Sequence, residues 1–183
     1  MAFADAAAWT AWLAEHHEDG GVWVKLAKKD SGITSITYAE AVEVALCFGW
    51  IDGQVRRFDG QYYVQRFTPR RSRSRWSKIN VAKAEQLITR GEMRGPGLRQ
   101  VEAAKADGRW AAAYDSPSTA VVPADLQEAI DGSPAARRFF DSLDAQNRYA
   151  ILHRLQEAKR PETRARRIAQ YVVMLEEGRR LHD

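Results

Sequence analysis

Apolar residues recur along this chain with two periods, and the switches between them outline the fold. From Val22 to Lys28, Val22, Val24 and Leu26 fall on one side at period two, which predicts a half-buried strand. Ahead of it, Asp5 can cap a helix running to about His17, with Trp9, Leu13 and His16 near one face and Gly20-Gly21 stopping it. Asp30-Ser31-Gly32 supplies a turn after the strand. Thr37-Tyr38-Ala39-Glu40 then fits a capping box, and Ala41, Val42, Ala45, Leu46 and Phe48 continue at helical spacing until Gly49.

Two short runs follow, Gln54 to Phe58 and Gln61 to Phe67, separated by Asp59-Gly60. That dipeptide suits a two-residue type I′ hairpin, in which both turn positions need positive φ. The resulting register sets Phe58 against Gln61, Arg56 against Tyr63, Gln54 against Gln65 and Asp52 against Phe67 on one side of the ribbon. Ile51, Val55, Tyr62 and Val64 lie on the other. Because side chains alternate across a sheet, the second set is expected in the core and the first on a surface of aromatics, amides and an arginine. A slip of one residue reverses the assignment.

Ser77 is a usable N-cap for a helix to Arg90, with Ile79, Ala84, Leu87 and Ile88 for its buried stripe and Gly91 closing it. Leu98, Val101 and Ala104 mark another helix, roughly Gly97 to Asp107. A linker is expected at 113–123, around Asp-Ser-Pro-Ser-Thr. Helices are then expected at about 124–131, 134–142, 144–159 and 161–177, the last opening on Pro161. Phe139, Phe140, Leu143, Tyr149, Leu152, Leu155, Ile168, Tyr171, Val172 and Leu175 can close a small helical core. The fold class expected is α+β: a small antiparallel sheet with a hairpin, packed with helices, in a domain at 1–112, then an all-helical module at 124–183.

Composition fits this picture and adds a charge asymmetry. Of 183 residues, 45% are apolar and 28% charged, ordinary values for a folded protein. Residues 1–53 hold three Lys/Arg against eight Asp/Glu, residues 54–110 fourteen against five, and residues 111–183 eleven against eleven. The thirds therefore carry −5, +9 and 0. A local excess of nine positive charges can attract and hold an anionic partner, nucleic acid and phosphorylated metabolites among the candidates. Cys47 is the one cysteine, so no intrachain disulfide forms. Met1 to Leu13 lacks a basic n-region, and no apolar run approaches the ~20 residues of a membrane span. A cytoplasmic protein without a transmembrane segment is the expectation.

The basic segment carries the most specific chemistry. Gly60 to Ala84 holds seven Lys/Arg and no acid. Within it, Arg66, Arg70, Arg71, Arg73, Arg75 and Lys78 offer guanidinium forks and an ammonium to phosphate or carboxylate. Ser72, Ser74 and Ser77 add donors before a helix N-terminus, where the dipole also favours an anion. With Arg56 these residues form the candidate anion- or ligand-binding set. Trp50, Asp52, Phe58, Tyr63, Phe67 and Trp76 form a candidate pocket or stacking set, with Phe58, Tyr63 and Phe67 either exposed for stacking or covered by helices. Asp52 can orient an arginine, act as a base, or simply serve the turn.

Sharper chemistries find no support in the sequence. Adjacent His16 and His17 diverge by about 100° on a helix and do not chelate one ion together, and His153 and His182 have no partners at metal-ligand spacing. Cys47, among apolar neighbours at the C-terminal end of its helix, reads as a core residue rather than a nucleophile. No nucleophile elbow, Walker A loop or dinucleotide fingerprint occurs. No catalytic residue, metal site or cofactor is expected.

Four blocks carry a family resemblance. Ala45-Leu46-Cys47-Phe48-Gly49-Trp50-Ile51-Asp52-Gly53, Arg66-Phe67-Thr68-Pro69-Arg70-Arg71-Ser72-Arg73-Ser74-Arg75-Trp76-Ser77, Gly108-Arg109-Trp110 and Ala158-Lys159-Arg160-Pro161-Glu162-Thr163-Arg164 resemble the bacterial YdeI/OmpD-associated family, also called bacteriocin-protection proteins. Weaker likeness at Trp12-Leu13 and Val22 to Lys29 extends it over nearly the whole chain. The resemblance implies a part in survival under bacteriocins and cationic antimicrobial peptides, and brings no catalytic residues with it. Members are described as periplasmic or porin-associated, a location at odds with the missing export signal. The leading expectation is a non-enzymatic protection protein that binds an anionic partner through its Arg-rich loop. The alternative is a small-molecule enzyme or ligand-binding protein with a pocket around Trp50, Asp52, Tyr63, Phe67, Arg70 and Trp76.

Overall fold

The computed structural model describes every residue except 118 and 183, so these two positions of the expected linker and C-terminal module lie outside the described residues. Two compact units divide the chain, Met1–Ala113 and Tyr114–Asp183.

The first unit begins with α1 (Ala6–His16), whose N-cap Asp5 accepts from the Ala8 amide. β1 (Val22–Ala27) follows, then α2 (Tyr38–Cys47), where Thr37 and Glu40 complete the capping box. Gly49 turns the chain at φ 75°, and a Cβ there would meet the Pro96 carbonyl oxygen at 2.9 Å, so only glycine makes this exit without strain. β2 (Trp50–Arg57) and β3 (Tyr62–Pro69) form the hairpin, followed by α3 (Lys78–Thr89, capped by Ser77) and α4 (Gly95–Ala106). The sheet is antiparallel in the order β1-β3-β2.

The hairpin departs from the sequence expectation in register. Arg57 pairs with Tyr63, Arg56 with Val64 and Val55 with Gln65, whereas Asp52 pairs with Phe67 as expected. An irregularity between Asp52 and Val55 absorbs the difference. The cause lies in the turn: neither Asp59 nor Gly60 takes positive φ, and Asp59 Oδ1 instead accepts from the amides of Gln61 and Tyr62 at 2.8 and 2.7 Å. This is an Asx-type turn and not the type I′ turn. The assignment of faces reverses on β3. Pairing with β1 puts Phe67, Gln65 and Tyr63 on the core side, with Phe67 wholly buried, while Tyr62 and Arg66 share the outer side with Trp23, Lys25 and Arg56; Val64 lies on that side too but is buried, as expected of it.

On the core side, Trp9 and Leu13 from α1 and Ala41, Ala45 and Leu46 from α2 close over Val24, Leu26, Trp50 and Phe67. Trp9 packs against Phe67 and meets Trp50 edge-on, and both indoles have partners: Trp9 Nε1 donates to the Ala41 carbonyl and Trp50 Nε1 to that of His17. Burial of such rings stabilises the unit at ~25 cal/mol per Å² of apolar surface. Two expected stripe residues of α3, Ile79 and Ile88, are exposed; Ala84 and Leu87 make its buried contacts. Leu98 of α4 is likewise exposed, and Gly97 takes its place against α2.

The second unit is helical: α5 (Ala124–Asp131), α6 (Pro134–Ser142), α7 (Ala145–Gln156) and α8 (Pro161–Glu176). Leu126, Ile130, Phe140, Ile151, Leu152, Leu155, Ile168, Tyr171 and Leu175 form its core, while Phe139, Leu143 and Val172 pack at the margin. Arg164 of α8 clamps Asp125 of α5 through two hydrogen bonds, holding that carboxyl below its ordinary pKa. The segment expected as a linker is tied to this unit: the Asp115 carbonyl accepts from Tyr149, its carboxylate accepts from Gln156, and Ala120 and Val122 pack on the helical core. Among the described residues, no helix is long and apolar enough to cross a membrane.

Candidate functional site

The Arg-Ser loop leaves β3 at Pro69, and its backbone is fastened at several points. The Arg70 amide donates to the Gly49 carbonyl, extending the strand pairing by one bond. Arg71 and Ser74 bond reciprocally, the Arg71 amide to Ser74 Oγ and the Ser74 amide to the Arg71 carbonyl, each at 2.9 Å. Just beyond α4, Arg109 donates to the Ser74 carbonyl at 2.9 Å, and Asp107 steadies it by accepting from its Nε at 2.7 Å. The same contact holds the Asp107 carboxyl below its ordinary pKa.

This architecture separates the candidate cations into different classes. Arg70 is buried, its guanidinium 3.7 Å over the Trp76 ring, and its Nη1 donates to the Arg75 carbonyl. Trp76 is itself buried, with Trp110 against it at 4.8 Å. Arg71, Arg73 and Lys78 are exposed, and Arg75 is half-buried. Ser77 is buried and its hydroxyl oxygen accepts from the Asn80 amide, so it caps α3. Arg56 and Arg66 lie elsewhere, on the outer face of the sheet.

The aromatic set also divides. Trp50, Phe67 and Trp76 are wholly buried, with their rings packed against protein rather than lining an open wall. Tyr63 is half-buried beside the core, and that burial raises its phenol pKa. Phe58 alone of the set is well exposed, with Lys25 Nζ 4.2 Å from its ring centroid. Asp52 accepts from the Tyr38 hydroxyl at 2.8 Å instead of pairing with an arginine. Burial of Cys47 pushes its thiol up to about 11, the reverse of what a nucleophile requires. Among the described residues, no group of three His, Cys, Asp or Glu could hold a metal ion.

Three residues of the outer face escaped the sequence reading: Trp23, Lys25 and Tyr62. The signal for the first two was present, since the alternation that sends Val22, Val24 and Leu26 inward sends Trp23 and Lys25 outward. Tyr62 lies outside because β3 pairs with β1 so that Tyr62 sits opposite Ala27 and Tyr63 opposite the buried Leu26. Arg109, which anchors the loop, carried no signal beyond its place in Gly108-Arg109-Trp110.

Comparison with known proteins divides the chain in sequence as well. Residues 1–100 match a family model described as a domain of unknown function, DUF8412. Residues 119–178 match the one described as Bacteriocin-protection, YdeI or OmpD-Associated. The Ala158–Arg164 block lies in the second match, the blocks at 45–53 and 66–77 in the first, and Gly108–Trp110 between them. No curated protein and no solved structure matches the chain.

Proposed function

We propose that this chain, which belongs to the DUF8412 family through residues 1–100 and carries a Bacteriocin-protection, YdeI or OmpD-Associated domain at 119–178, is a non-enzymatic cytoplasmic protection protein that binds an anionic partner. One observation carries the reading: a backbone-pinned loop displays Arg71 and Arg73 to solvent, with exposed Lys78 opening α3 behind it, while Arg70 supports it from below. Pinning matters because ordering a flexible arginine loop would cost conformational entropy on binding, and here the fold has ordered it already. Planar guanidinium groups suit phosphate and carboxylate oxygens. The central third's net charge of +9 also argues against direct sequestration of cationic peptides, which this surface would repel.

The test is survival under a bacteriocin of cells lacking the protein and complemented with wild type or with the double variant Arg71→Ala/Arg73→Ala. Wild type restores survival and the double variant, produced at the same level, does not. Retention on a heparin column gives the matching physical readout, with the variant eluting at lower salt. Equal protection and equal retention by both proteins overturn the reading.

A further inference from the structure

Within the first unit the helices pack on one face of the sheet, and the other face carries a pattern of rings and cations. Residues on the outer side are Trp23, Lys25 and Ala27 from β1, Tyr62, Arg66, Thr68 and a buried Val64 from β3, and Ile51 and Arg56 from β2, with Phe58 just beyond. None is acidic. The Arg56 and Arg66 guanidinium carbons lie 4.6 and 5.8 Å from the Trp23 ring centroid, and Lys25 Nζ lies 4.2 and 4.3 Å from those of Phe58 and Tyr62. Among the described residues, none of these three cations forms an ion pair. Arg66 also donates to the Gly20 carbonyl and Arg56 to Gln54 Oε1, contacts that orient the groups without neutralising them.

We propose that this open sheet face binds single-stranded nucleic acid, with Lys25, Arg56 and Arg66 taking phosphates and Phe58 and the Arg56 plane taking bases. Charge complementarity selects a polyanion, since an exposed Arg56 and half-exposed Lys25 and Arg66 share a face with no acidic residue, the Asp59 carboxylate near Lys25 belonging to the turn beyond it. The rings select an unpaired strand. Bases stacked inside a duplex cannot present their faces, whereas a single strand can lay them on aromatic rings and on guanidinium planes. Stacked on Trp23, the Arg56 guanidinium is pre-oriented and still has its outer side exposed. Trp23, Lys25, Arg56 and Arg66 sit on strands of the antiparallel sheet, and Phe58 directly follows β2. The surface is distinct from the Arg71–Lys78 loop, and the inference stands or falls separately from the reading of that loop.

Fluorescence anisotropy of a labelled oligo-dT of about 12 nucleotides tests it, with full-length wild type, Phe58→Ala, Arg56→Ala and Arg71→Ala/Arg73→Ala. Phe58 and Arg56 are exposed, so near-UV circular dichroism should show both variants folded. Three phosphate contacts predict a loss of about 20-fold in wild-type affinity between 50 and 200 mM salt. Phe58→Ala weakens binding on the order of 10-fold at either salt concentration. Arg56→Ala weakens it and also flattens the salt dependence, and the loop double variant retains the Phe58 effect when Phe58→Ala is added to it. Absence of binding at 50 mM salt overturns the proposal. Wild-type affinity in Phe58→Ala and Arg56→Ala overturns it too, as does a duplex of the same length or anionic phospholipid vesicles binding as tightly as the single strand.

Discussion

The guanidinium of Arg70 lies 3.7 Å over the ring of Trp76, and both side chains are buried. Arg71, the next residue, is exposed. Two adjacent arginines therefore do different work, one holding the loop against the core and the other facing solvent.

Replacing Arg70 with Ala should consequently lower stability by about 2 kcal/mol, the scale of a desolvated cation–π contact. Arg70→Lys should recover little of it, because an ammonium cannot stack as the planar guanidinium does. Arg71→Ala should leave stability within about 0.5 kcal/mol of wild type. Urea unfolding of the three variants checks the ordering, and a destabilised Arg71→Ala beside a neutral Arg70→Ala contradicts it.

The hairpin turn makes a prediction opposite in sign to its sequence signature. In a type I′ turn, Gly60→Ala would be strained at positive φ. Here Gly60 does not take positive φ and a Cβ would meet nothing within 4 Å. The substitution should be neutral or stabilise by up to about 1 kcal/mol through the unfolded chain. Asp59→Ala should lower the thermal midpoint, because the Gln61 and Tyr62 amides lose their acceptor. Those two bonds depress the Asp59 pKa, so their support is present above the ordinary carboxylate range and is lost as pH falls through the depressed value. Thermal melts of both variants at neutral and acid pH provide the measurement.

Gly97 tests the packing of α4 on α2. Helix propensity alone makes Gly97→Ala favourable by about 1 kcal/mol. A Cβ there would instead lie 2.3 Å from the Cys47 carbonyl oxygen and 2.8 Å from that of Leu46. Backbone cannot swing aside as a side chain can, so the variant should be destabilised by about 1–3 kcal/mol. Gly95→Ala, whose nearest neighbour is the mobile end of Arg99 at 3.4 Å, should be nearly neutral. Denaturation midpoints that place Gly97→Ala at or above wild type contradict this account.

Cys47 predicts an alkaline limb in the stability profile. Burial pushes its thiol up to about 11, above its value in the unfolded chain. The unfolded state therefore releases this proton first as pH rises. The associated stability, roughly 3 kcal/mol, is fully present below pH ~8.5 and is lost as pH climbs through about 11. Comparing urea unfolding of wild type and Cys47→Ala between pH 7 and 11 isolates this group from tyrosine and lysine titration. A difference between the two that does not shrink with pH contradicts the assignment.

The elements of this protein are legible in its sequence because their signals are local. Asp5, Thr37 with Glu40, and Ser77 each cap a helix through bonds to residues three positions away, so a short window contains the cause and its effect. Helical periodicity in the last sixty residues likewise marks α5 to α8 within a few residues. The α+β class follows from the order of those elements.

Which face of the hairpin meets the core was decided only by tertiary structure. The Asx turn at Asp59 and an irregularity between Asp52 and Val55 shift Val55 to Arg57 of β2 by one residue against β3, while pairing with β1 sets which face of β3 meets the core. Opposite Val22, Phe67 joins Trp9 and Trp50 in the core, and opposite Ala27, Tyr62 joins Trp23 and Lys25 outside. The basic segment follows the same division. Its charge, its serines and its helix start are written in consecutive letters. Arg70 was separated from Arg71 by partners far from its own position, through the Gly49 carbonyl across the end of the sheet and a Trp76 ring backed by Trp110. Long-range packing assigns neighbours in sequence to different environments, and that is information no local pattern contains.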